Sequence, residues 1–453
     1  MITLGYFILY LGILLLLTVS FLNFIRFRQS IFFLKQRKFK TGTMPTITSS
    51  RHIILIPALR EQERIIPTIE YFLDIIPSGM DISITICTTD KEITDNQHRY
   101  TTQEVVEKFI IDHPGIPVFV CNYPDINGSM AHQLNYTIKK YAEAGRLDKK
   151  DYISIYNADS RPHKDTFTWV LSQLNGSNEK YVFQQSAVFL RNYSGLSDLS
   201  AKAVALYQSC WTLTHEIPRL RRQAEKNSML SKLSNVHCVG HGLFIRFDIL
   251  HKMGLFPVET LTEDTYLGYK LRCAGIVIYP VPYIEIGDSP LSMRSALKQK
   301  YVWYWGPMLY PYYFFKNLQE EHNIYLKLRS IILACQGILN AVRWIIVGPV
   351  IFSVLILPWL LSANILDYIL SFISIILYTS LPVLGLPYFI DVLEAASGQD
   401  ISPVREPWYR VILNLIYAVF HSLLHSIPPF FSLTSALIMI FTGRTPKKPK
   451  TDE

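Results

Sequence analysis

The chain has 453 residues, 49% hydrophobic and 18% charged, with a formal net charge of +8. That is too apolar for an ordinary soluble protein and too charged for a pure membrane bundle, so one soluble domain of roughly 300 residues plus membrane segments is expected. The basic clusters stand beside apolar runs, which marks membrane-surface charge and not a nucleic-acid footprint.

Residues 3–25 are apolar until Arg26, long enough to span a bilayer. Arg26, Arg28, Lys35, Arg37, Lys38 and Lys40 follow. The positive-inside rule then places the next domain in the cytosol. The six cysteines, Cys87, Cys121, Cys210, Cys238, Cys273 and Cys335, have no paired spacing. They read as reduced thiols in a cytosol-like compartment.

From residue 51 the texture becomes α/β. HIILIPA (52–58) is a continuous apolar strand too short to span a membrane. A helix follows, with Ile65, Ile69, Phe72 and Leu73 on one stripe. Strands at 81–90 and 116–122, helices at 101–112 and 129–145, and a strand at 151–157 continue the alternation. A sheet wound on both faces is expected, with the parallel strands' carboxyl ends on one rim.

At that rim stands NADSRP (157–162), in which Asp159 offers a carboxylate where such sheets bind ligands. A further strand is expected at 181–190 and a long helix at 196–217. The basic run 219–226 reads as a solvated face or a lipid contact. Residues 291–318 mix lysines with aromatics, the composition of an element in the membrane interface. Lys298, Lys300 and Lys316 argue for a surface there. Apolar stretches follow at 330–361, 365–390 and 409–442. Pro428-Pro429 must bend or break the last one. Three crossings would leave the basic tail outside, against the positive-inside rule, unless the Pro-Pro segment re-enters. The expected organisation is an N-terminal transmembrane helix (1–27), a cytosolic domain (28–290), amphipathic interface helices (291–328), C-terminal transmembrane helices (329–443) and a basic tail (444–453).

Four stretches stand in order: IPALREQE (56–63), NADSRP (157–162), TEDTYLGYKLRCAG (262–275) and QKYVWYWG (299–306). Together they resemble the membrane-embedded inverting glycosyltransferases of family 2, the group of cellulose, chitin and hyaluronan synthases. The resemblance covers roughly residues 50–310 and implies a GT-A type, doubly wound mixed sheet with an all-α transmembrane region. It implies a nucleotide-sugar donor (UDP- or GDP-linked), a glycan or lipid-linked acceptor and Mg2+ or Mn2+. The enzyme would be multi-pass in the cell membrane, with its active site on the cytosolic face.

Residue by residue, Pro57, Ala58 and Glu61 match the first-strand signature beside the nucleotide, with Arg60 where an Asn is usual. Asp90 would hydrogen-bond the base. Ser129 replaces a lysine of the turn before a helix and equally suits an N-cap. Asn157 and Asp159 align with the Asp-x-Asp signature, Asp159 as metal ligand and Asn157 as a neutral oxygen ligand. Thr262, Glu263 and Asp264 match Thr-Glu-Asp, Asp264 being the general base. The same residues also favour a helix N-terminus. Gln299, Trp303 and Gly306 match the Gln-x-x-Arg-Trp signature, Trp303 stacking on the acceptor sugar. Val302 stands in the arginine position, and Lys298, Lys300 or Arg294 would have to supply the charge. His237, Cys238 and His241 lack a fourth zinc ligand nearby; Gly240 and Gly242 there let backbone approach the acceptor. Asn157, Ser129 and Val302 also fit a second reading, a catalytically silent membrane scaffold or transport component.

Overall fold

The computed structural model describes residues 2–36, 50–93, 100–174, 180–225, 229–320 and 323–442. The basic tail, Arg37, Lys38 and Lys40 lie outside them. Eight strands form one sheet: β1 (His52–Pro57), β2 (Ile82–Thr89), β3 (Val118–Tyr123), β4 (Tyr152–Ile155), β5 (Arg161–Pro162), β6 (Val182–Val188), β7 (Leu243–Arg246) and β8 (Ile278–Ile286). Their order is β3-β2-β1-β4-β7-β6-β8-β5. β1 pairs in parallel with β2 and β4, and β2 with β3. β7 runs antiparallel to both β4 and β6, so the sheet is mixed.

The apolar run of β1 is continuous because both faces of the sheet are covered. Ile53 and Leu55 enter one core with helices Met130–Glu143 and Glu263–Cys273, while Ile54 and Ile56 enter the other with helices Ile65–Ile75 and Thr166–Leu174. Alternate residues of a pleated strand must part in this way.

Strand ends β1, β2 and β4 meet on one rim, and Glu92 ties its loops together. The buried Glu92 carboxylate accepts from the Arg60 backbone N–H (2.6 Å), the Thr102 N–H (2.7 Å) and the Thr102 hydroxyl (2.9 Å). Arg60 takes a φ of +61°, so the chain turns there and the helix starts only at Ile65.

β7 and β8 carry no clear pattern in the sequence. β8 contains Pro280 and Pro282, which argue against a strand. The register with β6 shifts between Gln184 and Ser186, and this irregularity opposite the prolines accommodates them.

A third core joins the sheet to the apolar helices. Phe27, Ile31 and Leu34 of helix Ile2–Lys35 pack with Ile284 and Ile286 of β8 and with Leu386, Ile390 and Leu393. Among the described residues four helices are long and apolar enough to cross a membrane: Ile2–Lys35, Ile324–Leu360, Ile365–Tyr388 and Trp408–Met439. The last is interrupted after Leu424 and resumes at Ile427, just before Pro428-Pro429. Its second part runs along helix Met293–Met308, where the Ser432 hydroxyl donates to the Tyr301 carbonyl (2.9 Å).

Within the 291–318 stretch Lys300 departs from the expected surface position, while Leu291, Tyr312 and Phe315 are exposed. Lys300 is buried, as are Tyr304, Trp305, Tyr310 and Tyr313. These aromatics fill the seam between the sheet-bearing lobe and helix Ile324–Leu360, with Tyr310 and Tyr313 packed against Tyr266, Tyr269 and Leu333. A lysine inside that seam is possible because its ammonium finds a partner: Lys300 Nζ lies 2.7 Å from His421 Nε2.

Candidate active site

The Asn157–Ser160 segment leaves β4 as a tight turn. The Ser160 N–H donates to the Asn157 carbonyl (3.1 Å), and the Asn157 N–H to the Ser160 hydroxyl (2.9 Å). The turn sets Asp159 against Gly287 and Asp288 at the end of β8. The Asp288 N–H approaches Asp159 Oδ2 at 3.4 Å, and Arg191 donates to the Asp159 carbonyl (2.9 Å). Arg191 also clamps Asp288 through two bonds of 2.9 and 3.0 Å. A Cβ at Gly287 would stand 3.9 Å from Asp159 Oδ2, in ordinary van der Waals contact.

Helix Glu263–Cys273 begins at the Thr-Glu-Asp triplet, so the triplet is a helix start as well as a site. Glu263 is buried, whereas Asp264 keeps partial exposure and faces the cavity. The Thr265 N–H fixes Asp264 by donating to Oδ1 (2.7 Å), which leaves Oδ2 toward Gly240. Two close backbone approaches seat this helix. A Cβ at Gly268 would come within 2.5 Å of the His237 Cα, and one at Gly306 would reach the Thr265 hydroxyl at 2.7 Å.

One cavity of about 440 Å3 joins these parts. Asn157, Asp159, Glu263, Asp264, Gln299 and Trp303 all line it. Pro57, Ala58, Glu61 and Asp90 do not, and lie along the strand-end rim. Ala58 is buried and donates its N–H to the Cys87 carbonyl (2.9 Å), and Asp90 Oδ1 accepts from Asn122 (2.5 Å). Ser129 is the N-cap residue of helix Met130–Glu143, and its N–H donates to His132 Nδ1 (3.1 Å). Val302 lines the cavity. Of the three cations weighed against it, Lys300 alone reaches the cavity lining, and burial lowers its pKa to about 7.

Sequence reading missed the opposite wall. Helix Leu199–Trp211, a wider π-helical turn at Thr212–Glu216 and helix Ile217–Ala224 bring Tyr207, Gln208, Trp211, His215, Glu216 and Arg219 into the same cavity. Gln208 donates to Gln299 (2.8 Å). Such π turns recur at functional sites, but no residue spacing announces one. Burial raises the Glu216 pKa to about 7, against lowering contributions led by Ser186. His241 Nδ1 lies 3.1 Å from Glu285. Burial alone would lower the His241 pKa; Glu285, with Glu216 and Asp159 adding, raises it to about 9. A cationic imidazole therefore stands at the carboxylate end of the cavity.

His237, Cys238 and His241 do not converge. His237 stacks on Trp211, Cys238 is buried in the sheet core and His241 turns to Glu285. Among the described residues no group of three or more His, Cys, Asp or Glu is arranged to hold a metal. Gly242, at φ +64°, passes so close to β6 that a Cβ would meet the Gln185 carbonyl at 2.7 Å.

The family model described as glycosyl transferase family group 2 matches residues 152–388, more than half of the chain. No curated protein matches the sequence. Among solved structures, a mannosyltransferase from Pyrobaculum calidifontis in complex with GDP-Man and Mn2+ is 14% identical, with a TM-score of 0.47 over 92% of this chain and 99% of that one. A 4-diphosphocytidyl-2C-methyl-D-erythritol synthase is 12% identical, with a TM-score of 0.26 over 53% of this chain and 90% of that one.

Proposed function

The chain belongs to glycosyl transferase family group 2, and from that premise we propose that it is a membrane-bound inverting enzyme which moves a sugar from a nucleotide donor to a glycan or lipid-linked acceptor at the cytosolic face of the cell membrane. The observation that carries this reading is that Asp159 and Asp264, on different elements, line one cavity.

The donor lies along the rim, its base near Asp90 and its diphosphate near Asp159. Asp159, with the Asn157 amide, would hold Mg2+ or Mn2+. Both residues line the cavity, and a carboxylate and an amide oxygen are the hard donors such an ion takes. A hard cation shared with substrate phosphates needs only one or two protein oxygens, so the lack of a larger acidic group is no obstacle. When bound, the ion neutralises charge on the departing diphosphate. The chain's own groups do the rest. Asp264 Oδ2 accepts the proton of the acceptor hydroxyl as that oxygen attacks the anomeric carbon. A single displacement inverts the centre. His241, paired with Glu285, lines the same cavity as Val302. Trp303, 6.3 Å from the Phe189 ring, offers a face to the acceptor sugar.

The test is nucleotide release by the purified full chain from a panel of UDP- and GDP-sugars. Release that disappears in Asp264→Asn supports the reading. The absence of release with every donor would favour the silent scaffold that Asn157, Ser129 and Val302 suggest.

A further inference from the structure

A second cavity, of about 490 Å3, shares no lining residue with the site described above. Its walls come from separate elements: Tyr123 at the end of β3, Tyr136 and Lys139 on helix Met130–Glu143, Lys270 on helix Glu263–Cys273 and Lys316 on helix Tyr310–Glu320. Residues 254–259 complete it. Asn135 fixes that segment by accepting from the Phe256 N–H (3.0 Å) and donating to the Phe256 carbonyl (2.8 Å). The segment continues into Thr260–Asp264, so whatever fills the cavity braces the chain that leads to Asp264.

Charge in this cavity does not balance. Three lysines line it, and among the described lining residues Glu259 is the single carboxylate. Lys316 donates to Glu259, and Lys270 to the Met253 carbonyl (2.5 Å). The Lys270 and Lys316 ammonium groups also converge on one ring, that of Tyr266, at 5.8 and 5.9 Å from its centre. Burial alone would raise the Glu259 pKa; the bond from Lys316, with the Lys270 charge adding, brings it below the ordinary value. One carboxylate is thus shared between two cations, and Lys139 adds a third. Aromatic surface stands beside them, where Tyr123 meets Tyr136 edge to face at 5.5 Å. Lysine serves phosphate oxygens as a point charge, and a tyrosine ring covers the less polar body of a ligand. We propose that this cavity binds a phosphate ester through Lys139, Lys270 and Lys316. Two sources carry that group, an anionic phospholipid headgroup and a soluble ester. Tyr312 and Phe315, exposed on the helix that bears Lys316, bring apolar surface close to the site, so both sources are compared.

The full chain in detergent is treated with an amine-acylating reagent, and labelling of Lys139, Lys270 and Lys316 is read by peptide mass spectrometry. The probes are phosphatidylglycerol and glycerol 3-phosphate, with diacylglycerol and glycerol as phosphate-free controls. The phosphate-bearing probes protect the lysines and the controls do not. Phosphatidylglycerol acting at the lower concentration names the headgroup; glycerol 3-phosphate acting at an equal or lower concentration names the soluble ester. Lys139 is exposed, so Lys139→Glu reverses one charge without disturbing the packing. It weakens protection of Lys270 and Lys316 by about tenfold or more, as expected when a charged hydrogen-bond partner is lost. Glu259→Gln removes the opposing charge and tightens binding, a gain that a merely structural lysine cluster does not give. Asp159→Ala leaves the protection unchanged. No protection by either probe, equal protection by the controls, or protection that Lys139→Glu does not weaken overturns the site. A parallel loss in Asp159→Ala assigns the binding to the donor and overturns it as well.

Discussion

Gly240 and Asp264 face each other across the cavity: a Cβ on the glycine would stand 3.5 Å from Asp264 Oδ2. The Thr265 N–H holds the other carboxylate oxygen, Oδ1. Asp264→Asn keeps the size and the held oxygen but cannot accept a proton. The expected outcome is a fall in sugar transfer of about 10^2 to 10^4, the range for a lost general base, with donor binding unchanged. A parallel loss of donor affinity would place Asp264 in donor binding instead.

Asp159→Ala removes the carboxylate beside Gly287. Transfer is expected to cease, and donor binding, titrated with and without Mg2+ or Mn2+, is expected to lose its dependence on the ion. Unchanged ion dependence would assign the metal elsewhere. Asp288→Asn is the contrast. Its carboxylate is already bound to Arg191, so the metal response should persist while stability drops.

Gly242→Ala combines a φ of +64° with a 2.7 Å approach to the Gln185 carbonyl. Backbone strain of this kind costs about 1–3 kcal/mol and overpacking costs a similar amount. Gly79 also has positive φ, +80°, but nothing lies within 4 Å of its Cβ position. Gly79→Ala should therefore lower the melting temperature measurably less than Gly242→Ala. Equal losses would mean that the β6–β7 contact is looser than described.

Lys300 gives a pH dependence. Its ammonium meets His421 and the Tyr207 ring, and burial lowers its pKa to about 7. Between pH 7 and the ordinary lysine range the unfolded chain holds a proton that the folded chain has released, so stability rises with pH across that window. Below pH 7 both states are protonated and the folded state bears the full cost of the buried charge. Lys300→Met should raise the melting temperature most at pH 7 and below, with the gain fading toward pH 10. A pH-independent effect would show that Lys300 is neutral or solvated throughout.

The parts legible from sequence are those where one local signal suffices. β1, β2, β4 and β6 are runs of apolar and β-branched residues because cores on both faces claim their side chains, and edge strand β3 packs Val118 and Val120 on one face while Phe119 is exposed. Asp159 and Asp264 sit at a strand end and a helix start, positions that leave a mark in the sequence. The cavity's other wall leaves none. Arg219, Arg221 and Arg222 are near neighbours in a basic run, but the helix turns them apart: Arg219 enters the cavity, Arg221 donates to the Gln29 carbonyl (2.9 Å) and Arg222 is exposed. Lys300 looked like a surface residue because its partner, His421, comes from far along the chain. β8 was hidden by prolines that only its irregular pairing with β6 can explain.

The core shared by Phe27, Ile284 and Leu393 sets an order on biosynthesis. Phe27 leaves the ribosome early, while Leu393 is among the last residues of that core to be made. Until then the apolar side of β8 has only part of its cover, and a contact so distant along the chain forms slowly. A nascent chain therefore needs lipid or a chaperone to shelter this face, and release of the lobe before its closing helices arrive would favour aggregation over assembly.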